Sequence, residues 1–117
     1  MKQARTVLAA ALIALPLAHA RADDDIPIYE AKTQYLEIGV GIDKRLQAFP
    51  ALYSHLVAEG KQYGEESKKE TDEQWREDKS IFHVPYGFGR NYRLRAAAGQ
   101  YVSVIVDGYE FTGGAHP

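Results

Sequence analysis

Three arginines, Arg90, Arg93 and Arg95, stand interleaved with Tyr86, Phe88, Asn91 and Tyr92. Guanidinium groups among aromatic rings can hold an anionic or saccharide ligand by stacking and charge-assisted hydrogen bonds. The same pattern equally suits a polar outer face on which arginine stems lie over aromatics. Further on, Asp107 and Glu110 offer two carboxylates for acid–base work. At i,i+3 on a regular strand they point to opposite faces, so they share a site only if Gly108 makes a bulge. Ser103 has no elbow motif and no evident histidine partner, and it reads as a strand serine. The Thr112-Gly113-Gly114 run can wrap backbone N–H groups around an anion.

Metal and thiol chemistry find little support. His19, His55, His83 and His116 read onto a leader, a helix, a strand and the chain end, with neither HExxH nor an i,i+4 pair. The sequence has no cysteine, which excludes disulfides, thiol catalysis, thiolate metal sites and a lipid-modified N-terminal cysteine. No metal and no cofactor is expected.

The start of the 117-residue chain sets its expected compartment. A short basic region with Lys2 and Arg5 precedes an apolar run of residues 6–17, and small residues follow at Ala18, Ala20 and Ala22. That order is a Sec-type signal peptide over residues 1–22, cleaved after Ala20 or Ala22. The run falls short of the ~20 residues a membrane span needs, so the mature chain is expected to be periplasmic or secreted and not membrane-embedded. Cleavage after Ala22 leaves 95 residues with 11 basic and 16 acidic side chains, a net charge of −5. So acidic a product is not expected to bind nucleic acid.

The elements that must position these residues follow from periodicity. Residues 23–28 (DDDIPI) read as a disordered or tethering start. Leu36, Ile38, Val40 and Ile42 alternate with Glu37, Gly39 and Gly41, which predicts one strand over residues 30–42. The two glycines on one face suggest that a backbone or a large ring packs closely there. After a polar connection at residues 43–47, Pro50 opens an amphipathic helix with the stripe Leu52, Tyr53, Leu56, Val57, Gly60 and Tyr63.

Residues 65–78 keep helical propensity but lose the apolar stripe, and Glu65/Lys69 and Asp72/Arg76 are spaced as i,i+4 ion pairs. Trp75 either folds back onto the body or anchors a partner on an exposed arm. Residues 81–89 alternate as an edge or bulged strand interrupted by Pro85, Gly87 and Gly89. Residues 90–98 and 101–111 form a hairpin that turns at Gly99. The fold class is α+β: a strand, a long amphipathic helix packed on one sheet face, then antiparallel strands ending in a C-terminal β-hairpin.

The chain's final segment carries a resemblance. Ser103-Val104 followed by Tyr109-Glu110-Phe111-Thr112-Gly113-Gly114-Ala115-His116-Pro117 resembles the end motif of the deacetylase PdaC-type domain, and the Phe49-Pro50 helix entry fits upstream. The resemblance spans about residues 29–117. It implies an envelope domain found ahead of a polysaccharide deacetylase catalytic domain, and also in RsiV-type anti-sigma factors that bind lysozyme. Deacetylase chemistry belongs to the separate catalytic domain, whose Asp-His-His metal set has no counterpart in this sequence, so no catalytic residue carries over.

Residues 23–117 are therefore expected to form a non-catalytic PdaC-type domain, incomplete at its C-terminal end. Its expected partner is a lysozyme-like protein or peptidoglycan. Any binding role of the motif falls to Tyr109, Thr112, Gly113, Gly114 and His116. The competing expectation is an N-terminal accessory part of a longer hydrolase acting on the cell wall.

Overall fold

The computed structural model describes residues 25–113. The expected signal peptide, with His19, lies outside the described residues, as do Gly114 and His116. Within them run β1 (Asp25–Thr33), β2 (Leu36–Asp43), a 3-10 helix (Lys44–Ala48), α1 (Pro50–Glu77), a second 3-10 helix (Lys79–Ile81), β3 (Tyr86–Ala98) and β4 (Tyr101–Phe111). The strands form one mixed sheet in the order β1-β2-β3-β4. β1–β2 and β3–β4 pair antiparallel, while β2–β3 pair parallel across the α1 crossover. The α+β class with a helix on the sheet and a C-terminal hairpin is as the sequence predicts.

Three local expectations are corrected. Residues 25–28 of the segment read as a tether, and the single strand over residues 30–42, are in fact a hairpin: Thr33 pairs with Leu36 across a two-residue turn at Gln34 and Tyr35. The turn uses no positive φ; the Thr33 hydroxyl accepts the Tyr35 N–H instead, so no glycine marks it in the sequence. Residues 43–47 are not a mere polar connection, because Asp43 caps the first 3-10 helix and Leu46 within it is fully buried. Finally, β3 begins only at Tyr86 and is an interior strand, not an edge. His83 consequently sits exposed in the connection before it, not on a strand.

The core lies between α1 and one sheet face: Leu36, Ile38, Val40 and Ile42 from β2, Tyr86, Phe88, Tyr92 and Leu94 from β3, and Leu46 and Leu56. Helix α1 buries Leu56, Gly60, Gly64, Ser67 and Thr71, steps of three and four that make one stripe. Its second half thus stays on the body through small residues instead of apolar ones. Small residues there admit large neighbours. A Cβ at Gly64 would fall within the Tyr29 ring, and one at Gly60 would press on Val40, Ile28 and Tyr92 at 3.0–3.2 Å. A bulge between Pro27 and Tyr29 lets Ile28 and Tyr29, neighbours in sequence, both reach α1.

Candidate functional site

The arginine–aromatic stretch does not converge on a ligand site. Tyr86, Phe88 and Tyr92 alternate toward α1 and are buried core residues, so their faces are covered. Burial pushes the Tyr92 phenol above its ordinary value. Arg90 shares their side of the sheet and lies over the Tyr63 ring of α1, 3.8 Å from its centroid. Arg93 points to the other side and pairs with Asp107 at 2.8 Å. Arg95 is exposed at a bulge between Leu94 and Ala96. Strand alternation, plus one bulge, sends the three guanidinium groups in three directions.

The two carboxylates stand on opposite faces, as the i,i+3 spacing demands. Gly108 pairs in register with Arg90, so no bulge brings them together. Asp107 meets Arg93 on the open face, whereas Glu110 accepts a hydrogen bond from the Tyr63 hydroxyl at 3.2 Å on the α1 side. Burial, with the Glu110 charge added, raises the Tyr63 pKa. Ser103 is exposed opposite Ala96, and His55 is exposed on α1. Among the described residues no group of three or more His, Cys, Asp or Glu is placed to hold a metal ion.

What the strands do assemble is the face away from α1. Gly39, Gly41, Gly87 and Gly89 project there, and their missing side chains leave a shallow floor. The space above each glycine differs. A Cβ at Gly39 would meet nothing within 4 Å, while one at Gly41 would meet Asn91 Oδ1 at 2.9 Å. The close ring that glycine suggests is found instead at Gly87 and Gly89, where Tyr109 of β4 lies across both. Tyr109 remains 60% exposed, so its outer face is free to receive a partner.

Beside Tyr109 the floor opens into two depressions that meet at Gly39 and Glu30. One, of about 310 Å³, is bounded by Asp25, Pro27, Gly41, Asn91 and Arg93. The other, of about 520 Å³, runs between Lys32, Glu37 and Tyr109. Lys32 and Glu37 form a loose exposed pair at 3.7 Å. An exposed phenol ring flanked by an amide, a guanidinium–carboxylate pair and further carboxylates offers one apolar platform and many hydrogen-bonding groups. Such a surface suits a ligand with apolar faces and polar edges.

Of the other motif positions, only Thr112 and Gly113 lie among the described residues. Thr112 is exposed, and Gly113 turns the chain with φ +76°, its Cα side 3.3 Å short of Tyr86 for any Cβ. The sequence reading missed Asn91's place opposite Gly41 and the opening at Gly39, because both depend on which strand lies beside β2. The period-two pattern did reveal that Gly39, Gly41, Gly87 and Gly89 lie off the core face.

No helix among the described residues is long and apolar enough to cross a membrane. No curated protein and no solved structure matches the chain. The family model described as deacetylase PdaC does match, over residues 23–117. The motif and the match agree: the chain belongs to the deacetylase PdaC family, whose domain is envelope-associated.

Proposed function

We propose that this chain is an exported, non-catalytic binding domain of the cell envelope, and that the sheet face opposite α1 holds a glycan strand of peptidoglycan. The observation that carries the reading is Tyr109, laid across Gly87 and Gly89 with 60% of its surface exposed. A pyranose ring presents C–H groups on its faces and hydroxyls around its rim. The faces rest on a phenol ring, and the rim finds Asn91, the Arg93–Asp107 pair and Glu30 on the same side of the sheet. The basic, apolar and small-residue order of residues 1–22 supports export. N-terminal sequencing of the exported product should begin at Arg21 or Asp23, and recovery of intact Met1 there counts against it.

The test is co-sedimentation of the purified exported chain with insoluble peptidoglycan. Tyr109→Ala should abolish retention with the circular dichroism spectrum unchanged, while Tyr109→Phe should keep it, since the ring is the platform. Retention that Tyr109→Ala leaves intact overturns the assignment of the face. Binding to lysozyme without binding to peptidoglycan overturns the glycan reading in favour of a protein partner. A second reading rests on the family's description as a deacetylase: the domain then serves as the accessory, substrate-holding part of a longer polysaccharide deacetylase, and the same glycan contact is its task.

A further inference from the structure

The two edges of the sheet are treated differently. β1, at one edge, carries Pro27, a bulge and the exposed Lys32, three devices that discourage another strand from pairing there. β4, at the other edge, runs eleven residues, Tyr101–Phe111, with no proline, lysine or arginine and no bulge of its own. Among the described residues six large hydrophobic side chains are exposed, and four of them, Tyr101, Val106, Tyr109 and Phe111, lie on β4. Helix α1 lies over β1, β2 and β3, so the α1 side of β4 is left with Val106 53% exposed.

The geometry points to a second copy of this chain as the occupant of that edge, with the two β4 strands paired antiparallel about a two-fold axis at Val106. The register is self-complementary. Centring on Val106 sets Tyr101 opposite the partner copy's Phe111 on the open face, an aromatic cross-strand pair at each end of the ladder. It sets Ser103 against Tyr109, and Asp107 against Ile105. On the α1 side Val106 meets its own mate, Val104 meets Gly108, and Val102 meets Glu110. No like charges stand directly opposite, although the strand carries two acids and no base. The ladder satisfies the outward N–H and C=O groups of β4 and covers Val106, which is left half exposed on the α1 side. The two-fold stands perpendicular to the sheet, so one eight-strand sheet results with both helices on one side and both Tyr109 faces on the other.

This inference stands apart from the glycan reading, because Val106 and Tyr109 are on opposite sides of β4. It is tested on the exported chain by sedimentation velocity over a range of concentrations. A concentration-dependent dimer is expected. Val106→Lys, on an exposed strand position, should weaken it at least about tenfold, since two ammonium groups then face each other across the axis. Circular dichroism should show the fold retained.

Cysteine pairing checks the register independently, as the chain has no native cysteine. Strands paired in this way hold opposite Cα atoms about 4.5–5.5 Å apart, within the reach of a disulfide. Val106→Cys should oxidise to a covalent dimer. Tyr101→Cys alone should not, yet mixed with Phe111→Cys it should give a heterodimer. A chain that stays monomeric at every concentration, or a dimer indifferent to both Val106→Lys and these pairings, overturns the inference.

Discussion

The Trp75 ring lies flat on the Tyr35 ring, centroids 4.3 Å and planes 8° apart. Tyr35 belongs to the β1–β2 turn and Trp75 to the last turn of α1, so the stack ties the end of the helix to a hairpin 40 residues earlier. Phe82 and Tyr86 extend it into a four-ring cluster. The Tyr35 hydroxyl also donates to Asp72 at 2.6 Å, and Lys68 pairs with the same carboxylate at 2.7 Å. Asp72 therefore meets Lys68, one turn back, and a residue outside the helix. The charged second half of α1 is held to the body, and Trp75 is not a projecting arm.

Removing that tie has a calculable effect. Trp75→Ala should cost about 2–4 kcal/mol in urea melts followed by circular dichroism, somewhat below a fully buried tryptophan because the ring is only half-buried. Tyr35→Phe, which deletes only the hydroxyl, should cost about 0.5–1.5 kcal/mol. If Trp75→Ala stays within about 0.5 kcal/mol, the ring does not rest on the body in solution.

Asp43 makes stability depend on pH. Its side chain is 1% exposed, and it accepts hydrogen bonds from the Arg45 guanidinium, the Arg45 N–H and the Leu94 N–H of β3. Burial would raise its pKa, but these donors together outweigh burial and hold the carboxyl below its usual range. A depressed folded pKa means the stabilisation is fully present above the unfolded value of about 3.9 and is lost as pH falls through the folded value. Asp43→Asn should cost about 3 kcal/mol at neutral pH. The gap from wild type should stay constant down to about pH 5 and narrow only below about pH 4. A gap that closes between pH 6 and 8 would assign the effect to another group.

Gly64 and Gly39 should respond oppositely to added bulk. Gly64→Ala gains helix propensity of about 1 kcal/mol, yet its Cβ enters the Tyr29 ring, and overpacking typically costs about 1–3 kcal/mol. Net destabilisation is expected, relieved when Tyr29→Leu is added. Gly39→Val meets open space and suits a strand, so stability should hold or rise while peptidoglycan retention falls. Thermal melts and co-sedimentation on the same samples separate the two effects.

Adjacent residues on α1 should differ sharply. Leu56 is 7% exposed in the core, whereas His55 faces solvent. Leu56→Ala should cost about 2–5 kcal/mol and His55→Ala no more than about 0.5 kcal/mol. Equal shifts of the urea midpoint would place the buried face elsewhere.

Gly113 should resist replacement. With φ at +76°, an L side chain there costs about 1–2 kcal/mol, and a Cβ would also crowd Tyr86 at 3.3 Å. Gly113→Ala should lower the melting temperature, whereas Thr112→Ala, on an exposed residue, should not. A melt in which Gly113→Ala matches wild type would show that the turn is free to take another form.

Local periodicity was enough for the parts of this protein that bury one face over many residues. Valines at 102, 104 and 106 mark β4, the Leu36–Ile42 alternation marks β2, and the Leu52–Tyr63 stripe marks the first half of α1, each because side-chain spacing repeats with the backbone's own period. Gly99 marked the C-terminal hairpin, and its φ of +61° shows why only glycine signals it so plainly. The β1–β2 turn at Gln34-Tyr35 carried no such mark, since its hydrogen bond comes from Thr33 and its φ angles are ordinary. The second half of α1 looked solvated because Gly64, Ser67 and Thr71 are buried for being small, which hydropathy does not register. Tertiary structure alone decided that β3 lies beside β2, and with it the open face: strand order is a long-range choice made by the α1 crossover, and no local period encodes it. Once β3 is interior, Tyr86, Phe88 and Tyr92 become core, and Asn91 comes to lie opposite Gly41 on the open face.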